Sequence, residues 1–368
     1  TTRPSDTYCK KGVNIHIFIA LMQHNFILTD VMKTGNHVDL EQFINMHTLQ
    51  KQKFDMTGEY YTLHQYNLDS YDRKFAILDC REGNFRIKDN PDFAQELTKR
   101  CKLLHSQGFV FIKANPWESL ENIELTTIYP EIDLPHIKWT GGVSWFWFYM
   151  YQKHKDVKYN FNHTLKNFDF LYLNKCKREH RLKLYKNLHK DNVLDQSLFC
   201  FHQYDKTSLR KDYELPGVNQ YPFRGLDQDI YEKPYNDTKF SLVSETNDNS
   251  TDVFMTEKIW KPIIAEQIFI VHGNYLYLQK LKELGFKTFS NYFNESYDLE
   301  IDRNKRIEKI VQLCKDLKKF DWRDMYLQTK ALRKHNKDLF FDSEQLSKQV
   351  NETLNVFLEF ADSSQITP

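Results

Sequence analysis

Glycine-rich phosphate signatures are missing from this sequence: neither G-x-G-x-x-G nor G-x-x-x-x-G-K-[ST] occurs, which disfavours nicotinamide redox and P-loop chemistry. Cysteine is scattered, at Cys9, Cys80, Cys101, Cys176, Cys200 and Cys314. No two form a Cys-x-x-Cys pair and none joins histidine at zinc spacing, so no structural metal is expected. Dispersed thiols in a long chain point to a reducing compartment, and a cytoplasmic location is expected. Charge of one sign is lacking as well. With 51 basic and 50 acidic residues the net charge is +1, so no global field recruits nucleic acid or an anionic membrane. The longest apolar run near the start, IHIFIALM (Ile15 to Met22), falls far short of the ~20 residues of a membrane helix and lacks a signal-peptide cleavage pattern. No membrane span is expected. Internal repeats and low-complexity segments are absent, and no Ser/His/Asp arrangement can be argued from order alone. Five Asn-x-Ser/Thr sequons, at Asn162, Asn236, Asn249, Asn294 and Asn351, arise by chance in an Asn-rich chain.

What is present is core-forming material. The 368 residues are 40% hydrophobic and 15% aromatic, enough for two domains of about 150 to 180 residues. Strand-like and helix-like segments alternate, the pattern of doubly wound α/β folds. NIHIFIAL (from Asn14), KFAILDC (Lys74 to Cys80) and GFVFIKA (Gly108 to Ala114) read as strands of a first half, with an amphipathic helix from Phe93 closed by Gly108. KWTGGVSWFWFYMYQKH, from Lys138, is an aromatic-rich helix or interdomain wall, or an aromatic platform for substrate. A second unit starts near Asn160. It reads FDFLYLN (strand), REHRLKLYKNLHK (basic helix), SLFCFH (strand), FSLVSE (strand), MTEKIWKPIIAE (helix), IFIV (strand), YLYLQKLKELG (helix) and KTF (short strand). From Ile301 the pattern is helical, broken near Asp321 and Asp342. The expected domains are 1–158, 159–320 and a helical tail, 321–368, packing across both.

The informative stretch is TDVFMTEKIWKPIIAEQIFIVHGN. In an open parallel sheet ligands sit outside the carboxyl ends of the strands. Here a strand ends, a polar loop follows and a helix begins near Phe254 to Thr256, offering free backbone N–H groups and a positive dipole end. Lys258 lies in that first turn, where lysine opposes the dipole and a bound anion would account for it. Glu257 beside it has two acceptor oxygens for a ribose diol or sugar hydroxyls. The plainer alternative is a capping glutamate and a solvated lysine. A second basic element, LYLNKCKREHR, repeats the geometry with Asn174, Lys175, Lys177, Arg178 and Arg181, while Lys183, Lys186 and Lys190 read as a solvated helix face. Two such strand ends can converge on one diphosphate.

SETNDNSTDVFMTEKIWKPIIAEQIFIVHGN resembles the donor-binding segment of α1,3-fucosyltransferase-type glycosyltransferases through Glu245, Thr256-Glu257-Lys258 and Phe269 to Gly273. The resemblance covers roughly residues 168 to 275. It implies two Rossmann-like domains of the GT-B type with a cleft between them and a nucleotide-diphosphate sugar donor. It also implies transfer without bound metal or other cofactor. Lys258 would then contact the donor phosphates, Glu257 the sugar or ribose, and Arg178 or Arg181 the diphosphate. The FLYLN…R…HR and GFKTF…ESYD segments also resemble proteins encoded by tailed phages and large viruses of aquatic microbes. No fucosyltransferase signature occurs in the first half, so neither donor sugar nor acceptor is implied. The catalytic base of an inverting enzyme of this type is an acid of the first domain. Asp79 and Glu82, in ILDCREG, are the candidates, with Asp30 behind them, although each also fits a surface or capping carboxylate. His272 ends the IFIV strand, where it either touches the nucleotide or makes a structural hydrogen bond, and Gly273 beside it permits close backbone approach. The Asp227-Gln228-Asp229 string follows no apolar strand, so a metal role there is disfavoured. The expected reaction moves a hexose or pentose onto a hydroxyl of a glycan or glycoprotein. Two alternatives stand beside it: glycosylation of hydroxymethylated bases in DNA, and a non-catalytic sugar or nucleotide binder.

Overall fold

Two sheets organise the chain, one in each of two compact units, Thr1–Trp145 with Ser347–Pro368, and Phe146–Leu346. The computed structural model describes side chains for residues 146–163, 166–174, 178–200, 229–249 and 253–350, and otherwise mainly the backbone of strands.

In the first unit β1 (Asn25–Thr29), β2 (Phe54–Thr57), β3 (Lys74–Asp79), β4 (Val110–Asn115) and β5 (His136–Thr140) run parallel in the order β2-β1-β3-β4-β5. This is a doubly wound order. β3 and β4 fall where the apolar runs put them. β2 and β5 are short and interrupted by polar residues, and the pattern had not marked them. Asp79 closes β3 at its carboxyl end. The side chain of Asp79, the residues Asp30 and Glu82, and the strand expected from Asn14 all lie outside the described residues.

The second unit is entered through α1 (Gly142–His154). Its strands are β6 (Phe168–Asn174), β7 (Leu198–Phe201), β8 (Lys206–Thr207), β9 (Thr238–Ser244) and β10 (Ile268–His272), in the order β10-β9-β6-β7-β8. Four are parallel, and β8 is an antiparallel edge. The helices are α2 (Glu179–Lys190), α3 (Glu232–Asp237), α4 (Glu257–Ile264), α5 (Tyr277–Glu283), α6 (Arg303–Leu317), α7 (Trp322–Gln328) and α8 (Lys330–Phe340). The breaks anticipated near Asp321 and Asp342 are helix starts. Asp321 accepts from the backbone N–H groups of Arg323 and Asp324, and Asp342 from those of Glu344 and Gln345. The short strand expected at KTF does not form. Asn336 satisfies both the N–H and the carbonyl of Lys287, and Glu295 accepts from the N–H of Phe289, so side chains replace a strand neighbour there.

α4 shows why the sheet holds firmly. Its Ile259, Trp260, Ile263 and Ile264 are buried, and it packs on α8. Trp260 stacks on Trp147 of α1 at 5.6 Å, and Phe286 and Phe340 complete the cluster. Trp147, Phe148 and Met150 of α1 are therefore core, while Tyr149 and Tyr151 are half-buried. The two indoles differ, because Trp147 donates to the Phe340 carbonyl at 2.9 Å whereas Trp260 Nε1 is buried without an acceptor. Trp147→Phe should therefore cost about 1 kcal/mol more than Trp260→Phe in denaturant unfolding. Equal losses would show that the indole bond contributes nothing.

Candidate functional site

The carboxyl ends of β7, β6, β9 and β10 lie on one line. Asn174 pairs with Phe201, Ser244 pairs with His272, and the β6–β9 register (Phe168 with Thr238, Leu171 with Ser241) brings Asn174 level with Ser244. Chain order reverses between β6 and β9, since the path leaves β6 toward β7 and returns on its other side. In sheets of this kind that switch point is where ligands bind. α2 starts beside it after β6, and α4 after β9.

Glu245 follows β9 and is fully buried. One carboxylate oxygen accepts from the Thr256 N–H at 3.2 Å and the Tyr277 hydroxyl at 2.7 Å. The other accepts from the Thr256 hydroxyl at 2.6 Å. Its carbonyl takes His180 Nε2 at 3.0 Å and the Arg181 guanidinium at 2.8 Å. Glu245 is thus engaged within the protein, and what it fixes is Thr256, the N-cap of α4. Gly273 has its reason in the same knot. A β-carbon there would stand 2.6 Å from the Tyr277 ring, so the residue that approaches its backbone is Tyr277.

The Thr256-Glu257-Lys258 run therefore has a fixed start. The Lys258 ammonium donates to Glu257 at 2.6 Å, to the Thr256 hydroxyl at 2.9 Å and to the Thr246 hydroxyl at 3.2 Å. Burial alone would raise the Glu257 carboxyl. The ammonium groups of Lys258 and Lys261, together with hydrogen bonds from Lys258 and its own N–H, hold it below the ordinary value. The plainer alternative, a capping glutamate and a solvated lysine, does not fit. Thr256 does the capping, Glu257 pairs with Lys258, and both side chains are largely buried.

Arg181 and Arg178 part company. Arg181 is buried and its guanidinium binds the Ser244 and Glu245 carbonyls, fastening α2 to the end of β9. Arg178 is exposed at the N-cap of α2, with no capping bond from its side chain. Lys175 and Lys177 lie outside the described residues. Asn174 is 5% exposed, and both polar atoms of its side-chain amide are buried without a hydrogen bond of ordinary geometry. The Tyr172 hydroxyl is near enough to feel that amide. An orphaned buried amide at a switch point is a polar group awaiting a partner.

A network that the sequence reading did not anticipate adjoins this edge. Asp248, buried in the loop after β9, faces His180 Nδ1 at 3.4 Å, His272 Nε2 at 3.5 Å and Arg303 Nε at 2.6 Å. The two imidazoles meet edge to face at 5.3 Å, and His272 Nδ1 contacts the Ser244 hydroxyl at 3.4 Å. His272 Nε2 thus faces Asp248 without a hydrogen bond of ordinary geometry. Burial pushes His180 down to about 3, against the pull of Asp248, and it lowers His272 too. Burial would raise the Asp248 carboxyl, but the imidazoles and Arg303 hold it well below the carboxylate range. Arg306, buried, donates to the carbonyls of Asp248, Gly273, Glu300 and Ile301. The available signal was the acid-free first turn of α6, RNKR. Among the described residues no group of His, Cys, Asp and Glu could hold a metal ion, and no helix is long and apolar enough to cross a membrane. Asp229 pairs with Lys153 at 2.5 Å.

No protein-family model matches the chain, and no curated protein does. Among solved structures, one titled "Crystal Structure of alpha1,3-Fucosyltransferase with GDP" matches at 11% identity and a TM-score of 0.40, covering 94% of this chain and 93% of that one. Superposition that loose leaves the site to stand on its own residues.

The buried histidines give a signed pH dependence. His180 and His163 both have folded values of about 3 against 6.5 unfolded, so below pH 6.5 the unfolded chain binds protons that the native state refuses. Stability should be full above 6.5 and fall by about 1.4 kcal/mol per pH unit per histidine on acidification toward 3. Denaturant unfolding at pH 7.5, 6 and 5 measures this, and a flat profile would refute it.

Proposed function

We propose that the protein is a nucleotide-sugar glycosyltransferase whose second unit holds the donor diphosphate at the β6/β9 switch point. The observation that carries this reading is Asn174: buried, without a hydrogen bond of ordinary geometry, and level with the start of the loop that leads into α4. Its amide can donate to a phosphate or accept from a sugar hydroxyl. Lys258 in the first turn of α4 and Arg178 at the N-cap of α2 are cations carried by the two helix starts beside that edge. Lys258 donates to Glu257 and to two threonine hydroxyls. An arriving phosphate would take its charge, leaving the Glu257 carboxylate to orient the ribose or sugar. Cations and helix N-termini there stabilise the charge that develops on a diphosphate leaving group. The sequence resemblance supports an inverting reaction without metal, in which an acid of the first unit, Asp79 or Glu82, deprotonates an acceptor hydroxyl on a glycan or glycoprotein.

DNA as acceptor gains no support from the lysine-rich segment. Lys309, Lys315, Lys318 and Lys319 pair with Glu300, Asp191, Asp169 and Asp316, which neutralises much of its charge.

A thermal-shift panel of GDP, UDP, CMP, dTDP and ADP, with EDTA present, tests the proposal. One nucleotide should stabilise the wild type, by about 2.7 kcal/mol at a hundredfold excess over Kd, and Lys258→Ala should abolish the shift. No shift with any of them would overturn the reading.

A further inference from the structure

We infer that Arg303 is a third anion-binding residue of this site, set by the Asp248 network to contact the diphosphate; this rests on the donor-site reading above. Three observations carry it. First, Arg303 occupies the first position of α6, where a cation opposes the helix dipole, and the adjacent N-cap carboxylate, Asp302, is engaged by the backbone N–H groups of Asn304 and Lys305 rather than by Arg303. Second, its side chain is 29% exposed, yet it is held through Nε by a buried carboxylate at 2.6 Å. That carboxylate in turn faces two buried imidazoles, at 3.4 and 3.5 Å. Holding a guanidinium by Nε leaves the outer edge of the fork turned elsewhere. One outer nitrogen touches Glu179 at 3.4 Å, and Glu179 is 85% exposed, a weak and replaceable partner. Third, Arg303 and Lys258 grip the same short loop two residues apart. Arg303 holds Asp248, and Lys258 holds the Thr246 hydroxyl. Two residues of chain span at most ~7 Å.

The path from the orphaned amide is continuous. Asn174 is level with Ser244, whose hydroxyl contacts His272, which faces Asp248, which holds Arg303. Arg178 adjoins Glu179 in sequence. Glu179 is thus a solvated counter-ion of Arg303, next in the chain to Arg178, to be displaced by a ligand carrying two adjacent negative groups. A planar guanidinium held at one nitrogen is suited to bidentate contact with phosphate through the others.

The test measures inorganic pyrophosphate and the stabilising nucleoside diphosphate against wild type, Arg303→Gln, Glu179→Gln and Lys309→Gln by calorimetric titration. Arg303→Gln should weaken both ligands by about tenfold or more, the loss expected for one charge-assisted contact. Glu179→Gln, at an exposed position, should tighten pyrophosphate a few-fold by releasing Arg303, and Lys309→Gln should change nothing. If Arg303→Gln fails to fold, Glu179→Gln decides, and unchanged pyrophosphate affinity in it overturns the inference. Unchanged affinity in folded Arg303→Gln overturns it equally, while the donor-site reading stands. A wild type that binds neither ligand removes both.

Discussion

Glu245 is the constraint on which the site depends. A carboxylate with no exposure must find donors for both oxygens, and here they come from Thr256 and Tyr277. Satisfying that one group fixes the N-cap of α4, the first turn that carries Glu257 and Lys258, and the ring that excludes a side chain at residue 273. The carbonyl of the same residue anchors His180 and Arg181 of α2. Both helix starts at the switch point are therefore set by a single buried residue. For the proposed donor site this means a framework held by bonds within the protein, which lowers the ordering cost of binding.

A pattern recurs in the buried arginines of the second unit. Arg181 takes the Ser244 and Glu245 carbonyls, Arg306 takes four carbonyls around Asp248 and Gly273, and Arg333 takes those of Glu266 and Tyr326. Loop ends at a sheet edge leave backbone oxygens that no strand or helix can satisfy. A guanidinium with five donors answers several of them at once. Such residues resemble ligand-binding arginines in sequence, because both kinds sit just after strands and at helix starts. This is why Arg178 and Arg181, three positions apart, could not be separated beforehand. One is exposed and the other is a clamp, and the difference lies in which face of α2 meets β9.

The architecture was legible where local pattern and burial agree. FDFLYLN, IFIV and MTEKIWKPII show their strands and helix because nearly every residue is apolar or falls on one buried stripe. The Thr256 start was readable from the polar loop before it. What escaped notice depends on contacts far apart in the chain. Asp248 lies in a loop that reads as solvated, yet its partners are at 180, 272 and 303. The fate of KTF was decided by Asn336, almost fifty residues on. Gly273 was rightly seen as a point of close approach, but the approaching group is the protein's own tyrosine.

The resting state of the site suggests how its charges coexist without ligand. Lys258 and Arg303 are of like sign and hold one short loop, so their repulsion has to be screened locally. Glu257 and Asp248 do this from inside the fold, each paired to its own cation, and neither is free to wander. Full neutralisation would leave nothing to attract an anion. The pairing here is incomplete in one respect: Lys258 spends two of its contacts on neutral hydroxyls, and Arg303 keeps its outer edge toward an exposed glutamate. Neutral oxygens and solvated carboxylates are cheap to displace, whereas the buried Asp248 is not. The arrangement thus separates the bonds that hold the cations in place from those an incoming phosphate could replace.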